Sequence, residues 1–432
     1  MSLIFNHAEE GYPDKLDLFS KIPVQTGIVK SEFQSYGPIA AIRKNAPIEF
    51  SIPGSSPDYI CLGKSRIALK VKIVKSDGTN IDESDHVALV SNPCHSLFRE
   101  VHVGLQQINL TSGVSSCYAH KAYIDALIGD SDSISMSSLQ TSLFIKDTAA
   151  FITDFDAQNA SNSSLIKRYR YTSEGKICTL ESEIPLDICR QPKLIPNGVD
   201  LSFKFFPQTD SFCLLTAGAE KYQVEIVDAK MKICKCKINE AVLAAHAEAF
   251  KVSNALYPYP KDDVKSYSIP AGLDKFSLDD VILDTVPERL VVCMTSADGF
   301  SGNYRKNPFN FRNNNLSLIS FSVDGKSCPS DPIETNFESL NFAEAYLTLY
   351  PDDSRNRSTK YQISYMDYGH GYTIIVFHTS GQTNYEGSSL LRKGHTRLQL
   401  CFRAPLVETT TVILYSTYQG ILEIDAARNV IV

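Results

Sequence analysis

The sequence predicts an all-β protein built in two halves. Three observations carry that expectation: period-two alternation along the chain, Gly/Pro turn signals between the alternating runs, and a helix followed by prolines near the middle. Ile67, Leu69, Val71 and Ile73 are apolar around Arg66, Lys70 and Lys72, and Leu201, Phe203 and Phe205 alternate with Ser202 and Lys204. Ile319, Phe321 and Val323 alternate with serines, and Leu398, Leu400 and Phe402 with Arg397 and Gln399. Each run is the pattern of a half-buried strand, apolar on one face of the pleat and polar on the other. Pro53-Gly54, Asp77-Gly78, Asn197-Gly198, Ala271-Gly272 and Asp324-Gly325 supply turns between them. Many short strands with such punctuation read as a sandwich or barrel.

Taken in order, residues 1–44 hold Gly11, Pro13, Pro23, Gly27, Gly37 and Pro38, too many breakers for a core strand. They are expected to form an arm outside both sandwiches that acts between subunits. Its apolar residues Leu16, Leu18, Phe19, Ile22 and Val24 are the candidate assembly contacts, and its balanced charges argue against a DNA tether. The first globular half is placed at 45–237. Within it Tyr118, Ala122, Tyr123, Ala126 and Leu127 have helical spacing, with Gly129 as C-cap. The stretches 131–142 and 154–164 look like long loops. From Tyr222 to Ile238 the apolar phase slips, with lysines moving from Lys230 and Lys232 to Lys235 and Lys237, so one long strand with bulges is expected. Asn239 caps an Ala-rich helix in a connector at 238–252, and Tyr257-Pro258-Tyr259-Pro260 opens the second half, 253–432. No internal repeat is visible between the halves.

Composition narrows the class. The 432 residues are 43% hydrophobic and 21% charged, which excludes a largely disordered chain. Formal charge is −7, without the basic excess of a dedicated nucleic-acid binder. No run reaches the roughly 18 apolar residues of a membrane span, and the first residues do not read as a signal peptide. Eleven irregularly spaced cysteines are therefore expected as reduced thiols, dispensable for assembly, in a cytoplasmic or nuclear setting. The five Asn-x-Ser/Thr sequons then carry no weight.

Catalytic signatures are not found. Cys234-Lys235-Cys236 is a lone C-x-C without the further ligands of a zinc site. His370 fits a solvated turn before a strand, and His95 fits packing at a strand start. Asp262-Asp263, Asp279-Asp280 and Asp352-Asp353 read as solvated loop pairs, whereas acid/base work needs carboxylates in contrasting environments. Phosphate-loop, dinucleotide and nucleophile-elbow motifs do not occur. Lys167-Arg168-Tyr169-Arg170-Tyr171 could stack on single-stranded nucleic acid, but a solvated strand or loop is the expected reading. No catalytic residue, metal or cofactor is assigned.

Motifs spread along nearly the whole chain carry a resemblance. They begin with Asp17-Leu18-Phe19, Pro23, Gln25 and Thr26, then Pro47-Ile48-Glu49-Phe50, Ile52-Pro53-Gly54, Tyr59-Ile60 and Leu62. His95-Ser96-Leu97-Phe98 with Val101 and Val103, and Tyr118 with Ala122-Tyr123, continue them. The second half adds Ser268-Ile269-Pro270-Ala271-Gly272, Pro287-Glu288-Arg289-Leu290-Val291 and Phe300-Ser301-Gly302-Asn303-Tyr304. It also holds the most specific motif, Lys306-Asn307-Pro308-Phe309-Asn310-Phe311, and later Asp324-Gly325, Gly371-Tyr372-Thr373 and Glu423-Ile424-Asp425. Together they resemble the double jelly-roll major capsid proteins of the Polinton (Maverick) and adintovirus group. Cys61 departs from the pattern, which favours aspartate there.

The resemblance implies two tandem eight-stranded jelly rolls with a few short helices, and a structural protein rather than an enzyme. It further implies a homotrimeric, pseudo-hexameric capsomer. Capsomers would meet their neighbours, penton and minor capsid proteins in an icosahedral shell that encloses double-stranded DNA without reading its sequence. The expected location is the virion capsid. A glycan- or receptor-binding jelly-roll pair is the competing reading, since lectins share the architecture, and a cupin-type enzyme stands third because no closely spaced histidine pair occurs. Asn307, Pro308, Phe309 and Phe311 are expected to be architectural: Pro308 suits a strand entry or bend, and the two rings fall on one face.

Overall fold

The computed structural model describes residues 24–111, 116–129, 138–158, 161–218, 220–281, 285–350, 362–379 and 393–432. Sixteen strands account for its main sheets. In the first half these are β1 (Ile28–Tyr36), β2 (Ile48–Ile52), β3 (Tyr59–Lys75), β4 (Phe98–Leu105), β5 (Ile108–Asn109), β6 (Cys178–Glu183), β7 (Leu201–Pro207) and β8 (Tyr222–Ile238). The second half contributes β9 (Ala255–Ile269), β10 (Lys275–Asp279), β11 (Arg289–Ser296), β12 (Leu316–Val323), β13 (Lys326–Ser327), β14 (Ile374–His378), β15 (Thr396–Phe402) and β16 (Thr410–Ile424).

The first half pairs them as β1-β8-β3-β6 and β2-β7-β4-β5, and the second as β9-β16-β11-β14 and β10-β15-β12-β13. Adding eight to each strand of the first half gives the second. Both orders, with antiparallel pairing throughout, are the eight-stranded jelly roll. Short additions decorate this frame: Val87–Leu89 pairs with Leu214–Thr216, Ile333–Glu334 joins β12, and Val430–Ile431 joins β16.

The alternating residues do what their period demands. Ile67, Leu69, Val71 and Ile73 point inward from β3 against Phe203 and Phe205 of β7, all buried, with Phe98 packed on Phe205 at 5.0 Å. In the second roll Leu398 and Leu400 face inward near Phe321, which packs on Phe377 at 5.6 Å. The long strand β8 is a single element whose register against β3 slips at Ile226/Asp228 and Lys232/Cys234, where the lysine phase changes. Asp324 and Gly325 have positive φ (50° and 76°) in the two-residue turn from β12 to β13, the conformation that makes Asp-Gly a hairpin signal.

Three helices matter below: α1 (Tyr118–Ile128), α2 (Ser163–Thr172) and α3 (Glu240–Ala249). Asn239 caps α3, its side chain accepting from the Ala241 amide. One expectation needs correction. Residues 28–36 are no arm outside the sandwiches: they are β1, paired with β8 from Ile28↔Ile238 to Tyr36↔Met231, and thus the first strand of the first roll. Tyr257-Pro258-Tyr259-Pro260 opens the second half as expected, but as strand. It lies inside β9, an edge strand, where Tyr257 and Tyr259 are buried and both prolines face solvent. An edge has one side without a ladder partner, so proline's missing N–H costs nothing there.

The rolls stand side by side and parallel. Ile28, Ile238 and Ala255 line one groove and Ala255 pairs with Ile424, so the first and last strands of both rolls end at one pole. At the other pole Tyr304 of the second roll donates to the Tyr222 carbonyl of the first (2.9 Å).

Candidate functional site

The most chemically dense region is the seam between the rolls, and α1 is its centre. Ten of its eleven residues are buried, so it is covered all round, as a core helix must be. The seam carries two ionic knots and one aromatic stack.

The first knot joins α1 to β9. Lys121 Nζ donates to Asp125 (2.8 Å), to the Pro185 carbonyl (2.7 Å) and to Asp262 of the second roll (3.0 Å). Both the Lys121 and Asp262 side chains are fully buried. Arg190 pairs with the same Asp262 carboxylate, Thr417 donates to its other oxygen (3.2 Å), and the Tyr415 hydroxyl donates to Asp125 (3.0 Å). Burial works against the Lys121 charge, but Asp125 and Asp262 outweigh it and hold the ammonium above the ordinary lysine value. Asp187, desolvated and close to Asp262, is pushed up towards its neutral form.

The second knot centres on Asp147. Arg168 of α2, fully buried, donates to its carboxylate (2.7 Å) and also to the carbonyls of Leu89 and Ile145 (2.9 Å each). Asn162, the α2 cap, donates to the same oxygen (2.8 Å). From the second roll Asn307 donates to the other carboxylate oxygen (3.0 Å), and Tyr372 to the Asp147 backbone carbonyl (2.8 Å). Between the knots Phe309 lies flat on Tyr123 at 4.2 Å and edge-on to Phe212 at 5.9 Å, while Phe311 approaches Tyr123 at 6.1 Å. His120 stacks on Phe300 at 5.0 Å, and burial lowers its pKa to about 4.

Asn307, Phe309 and Phe311 are therefore brought together, all buried, on a turn closed by the Asn310 amide to the Asn307 carbonyl (3.2 Å), with Pro308 at its second position. Leu16, Leu18, Phe19 and Ile22 lie outside the described residues. Val24 is 78% exposed.

Several sequence readings are overturned here. Lys167–Tyr171 is neither solvated strand nor loop but part of α2, and its Arg168 and Tyr169 are inside the protein. Asp262 is no loop carboxylate but sits mid-strand, buried against two cations. His95, by contrast, is packed just ahead of a strand as expected: it is buried in a short helix (Pro93–Ser96) before β4, bonded to Tyr118 and Ser182 at 2.9 Å each. Asp352 and Asp353 lie outside the described residues. The residues missed were Lys121, Asp125, Asp147 and Arg190; Lys121 and Asp125, four apart in a mostly apolar helix, were the available signal.

Each knot's charges are opposed and their hydrogen bonds closed on one another, which suits a joint rather than a reaction centre. Among the described residues no group of three or more His, Cys, Asp and Glu is disposed to hold a metal ion. None of the eleven cysteines is in a disulfide, and eight of them are buried. No helix among the described residues is long and apolar enough to cross a membrane.

Two rolls of one strand order, locked in parallel, can be compared with known proteins. The Sputnik virophage structure matches 100% of this chain and 94% of its own, at TM-score 0.67 and 11% identity. The mavirus major capsid protein matches over 100% and 96% (TM-score 0.56, 11% identity), and Vp54 of PBCV-1 over 96% and 99% (0.59, 8%). The fold is the double jelly roll of viral major capsid proteins. These neighbours of the double jelly roll are structural capsid proteins, not enzymes. In sequence, an uncharacterised protein of Caenorhabditis elegans is 22% identical over 430 residues, covering 94% of this chain and 98% of its own. No family model matches the chain.

Proposed function

We propose that this chain is the major capsid protein of a virus-like element of the Polinton (Maverick)/adintovirus kind. Three copies form a capsomer, and capsomers tile an icosahedral shell around double-stranded DNA. The observation that carries this reading is the seam: it fixes two rolls of one topology in parallel, so that three chains present six similar uprights in a ring. The motif Lys306–Phe311, on which the resemblance leans most, supplies that seam with Asn307 and Phe309. A net charge of −7 suits a shell that encloses DNA without coating itself in it. Its partners are other copies of itself, neighbouring capsomers, and penton and minor capsid proteins; its place is the virion, after synthesis in cytoplasm or nucleus.

Electron microscopy and light scattering of the purified protein test this. The expected particle contains three 47.9 kDa chains, with three-fold symmetry and six lobes. Interfaces of such obligate assemblies bury upwards of about 2,000 Å². A stable monomer at micromolar concentration overturns the reading.

A further inference from the structure

A groove of about 560 Å³ runs between α3 and the pole where the strands of both rolls end. Its walls include Ile28, Tyr59, Ile238, Val242, Phe250 and Leu256. Most polar side chains in those walls already have partners: Tyr59 Oη bonds His246 Nδ1 (3.0 Å), Tyr257 Oη donates to the Leu194 carbonyl (3.0 Å), and Lys193 Nζ donates to the Leu256 carbonyl (2.6 Å). What is left is apolar surface that asks for an apolar occupant. Helix α3, one wall of the groove, has no buried residue. A ten-residue Ala-rich helix without a buried face gains little from packing and is marginal alone.

The chain itself delivers a candidate to this groove. Asn239, the cap of α3, receives the incoming backbone: its amide donates to the Gly27 carbonyl (2.9 Å) and its side chain to the Thr26 carbonyl (3.2 Å). Twenty-three residues precede Val24 in the sequence, among them Leu16, Leu18, Phe19 and Ile22. We propose that residues 16–24 turn back along α3 and fill the groove of their own chain with these apolar side chains. The reach is ample. Eight residues span up to about 26 Å when extended, and α3 is about 15 Å long. Tethering three residues from the groove gives the segment an effective concentration on the order of millimolar, which favours the chain's own segment over a neighbour's. The segment then latches the connector between the rolls, and does not reach to another subunit.

Photo-crosslinking in the full-length protein tests the latch, independently of whether the protein assembles. A p-benzoylphenylalanine replaces Ala249 and, in a second variant, Ser253; both positions are exposed and line the far part of the groove. Each variant is prepared as a mixture of ordinary and nitrogen-15-labelled chains and irradiated, and adducts are mapped by mass spectrometry. The expected adducts join position 249 or 253 to peptides within residues 14–24 of the same isotopic chain, and Phe19→Asp lowers their yield at least ten-fold. Adducts that join labelled to unlabelled chains would make a second copy the occupant and overturn the proposal. So would adducts lacking any peptide from residues 14–24, no adduct at either position, or an undiminished yield with Phe19→Asp.

Discussion

Replacing Lys121 by methionine keeps the bulk of the side chain and removes its charge from the first knot. Three interactions go at once: those to Asp125 (2.8 Å), Asp262 (3.0 Å) and the Pro185 carbonyl (2.7 Å). Arg190, itself partly exposed, is then the one cation left facing the two carboxylates, of which Asp262 is fully buried. Breaking a buried pair by removing one partner costs about 3–5 kcal/mol, because the remaining charge is left uncompensated. An unsatisfied buried carbonyl adds about 1–3 kcal/mol. A methionine that packs well returns part of this, so the expected loss is about 4 kcal/mol. The chain has no tryptophan and 21 tyrosines, so urea unfolding is followed by tyrosine fluorescence and far-ultraviolet circular dichroism. Lys121 belongs to the first roll and Asp262 to the second, so the variant is expected to unfold at lower urea with the two rolls partly uncoupled, giving a broadened or two-step transition. The double variant Lys121→Met/Asp262→Leu should be less destabilised than the sum of the single changes, since it leaves fewer charges unopposed. A single variant within about 0.5 kcal/mol of the parent, close to the scatter of a benign surface change, would refute the assignment of the knot as a structural lock.

Phe309→Ala removes a fully buried ring from the seam and is expected to cost about 3–5 kcal/mol, seen as a lower melting temperature and soluble yield; unchanged stability would mean the stack on Tyr123 contributes nothing. Stability should also fall on mild acidification. His95 and His120 are buried with pKa values lowered by desolvation to about 3 and about 4. The unfolded chain, with imidazoles near 6.5, therefore binds more protons, and stability present above pH 6.5 is lost as pH falls towards 4 and then 3. His120→Phe, which keeps an aromatic ring in the stack, should flatten the pH 4–6.5 part of that curve; an unaltered slope would remove His120 from the account. Finally, Pro258→Val with Pro260→Thr should leave the fold intact but raise the aggregation rate in turbidity assays, because the open edge of β9 gains donors for strand addition.

The strands that sequence reveals are those with one wet face and one dry face. Leu398, Leu400 and Phe402 in β15, or Ile67 to Ile73 in β3, alternate because the sandwich buries every second side chain. β1 lacks that imprint. All its residues but Tyr36 are exposed, so it is held by backbone pairing with β8, and nothing in its side-chain order records a face. The seam was legible only in part. Phe309 and Phe311 could be placed on one face by their spacing, but not against Tyr123, which lies far off in sequence. Asp262 and Arg168 look like surface residues by type. Their burial is decided by partners some 140 positions away in one case, and by Asp147 and main-chain carbonyls in the other. Charge pairing across a fold leaves no periodic trace.

The two poles of the molecule differ in what they contain. One gathers the entry into β1, the exit from β8, helix α3, the start of β9 and the end of β16. The other holds turns and two short helices (Asp210–Cys213 and Ala297–Ser301), with Asp77-Gly78 after β3 and the connection ahead of β16, where Val407 is 98% exposed. A chain so arranged can lengthen at the second pole without disturbing a single strand order or crossing the seam. Inserted peptides, epitopes or whole small domains placed after Gly78 or Val407 would stand out together on one side, while the side bearing α3 keeps its shape. The topology thus divides the surface into a closed footing and an open crown, a ready-made platform for display.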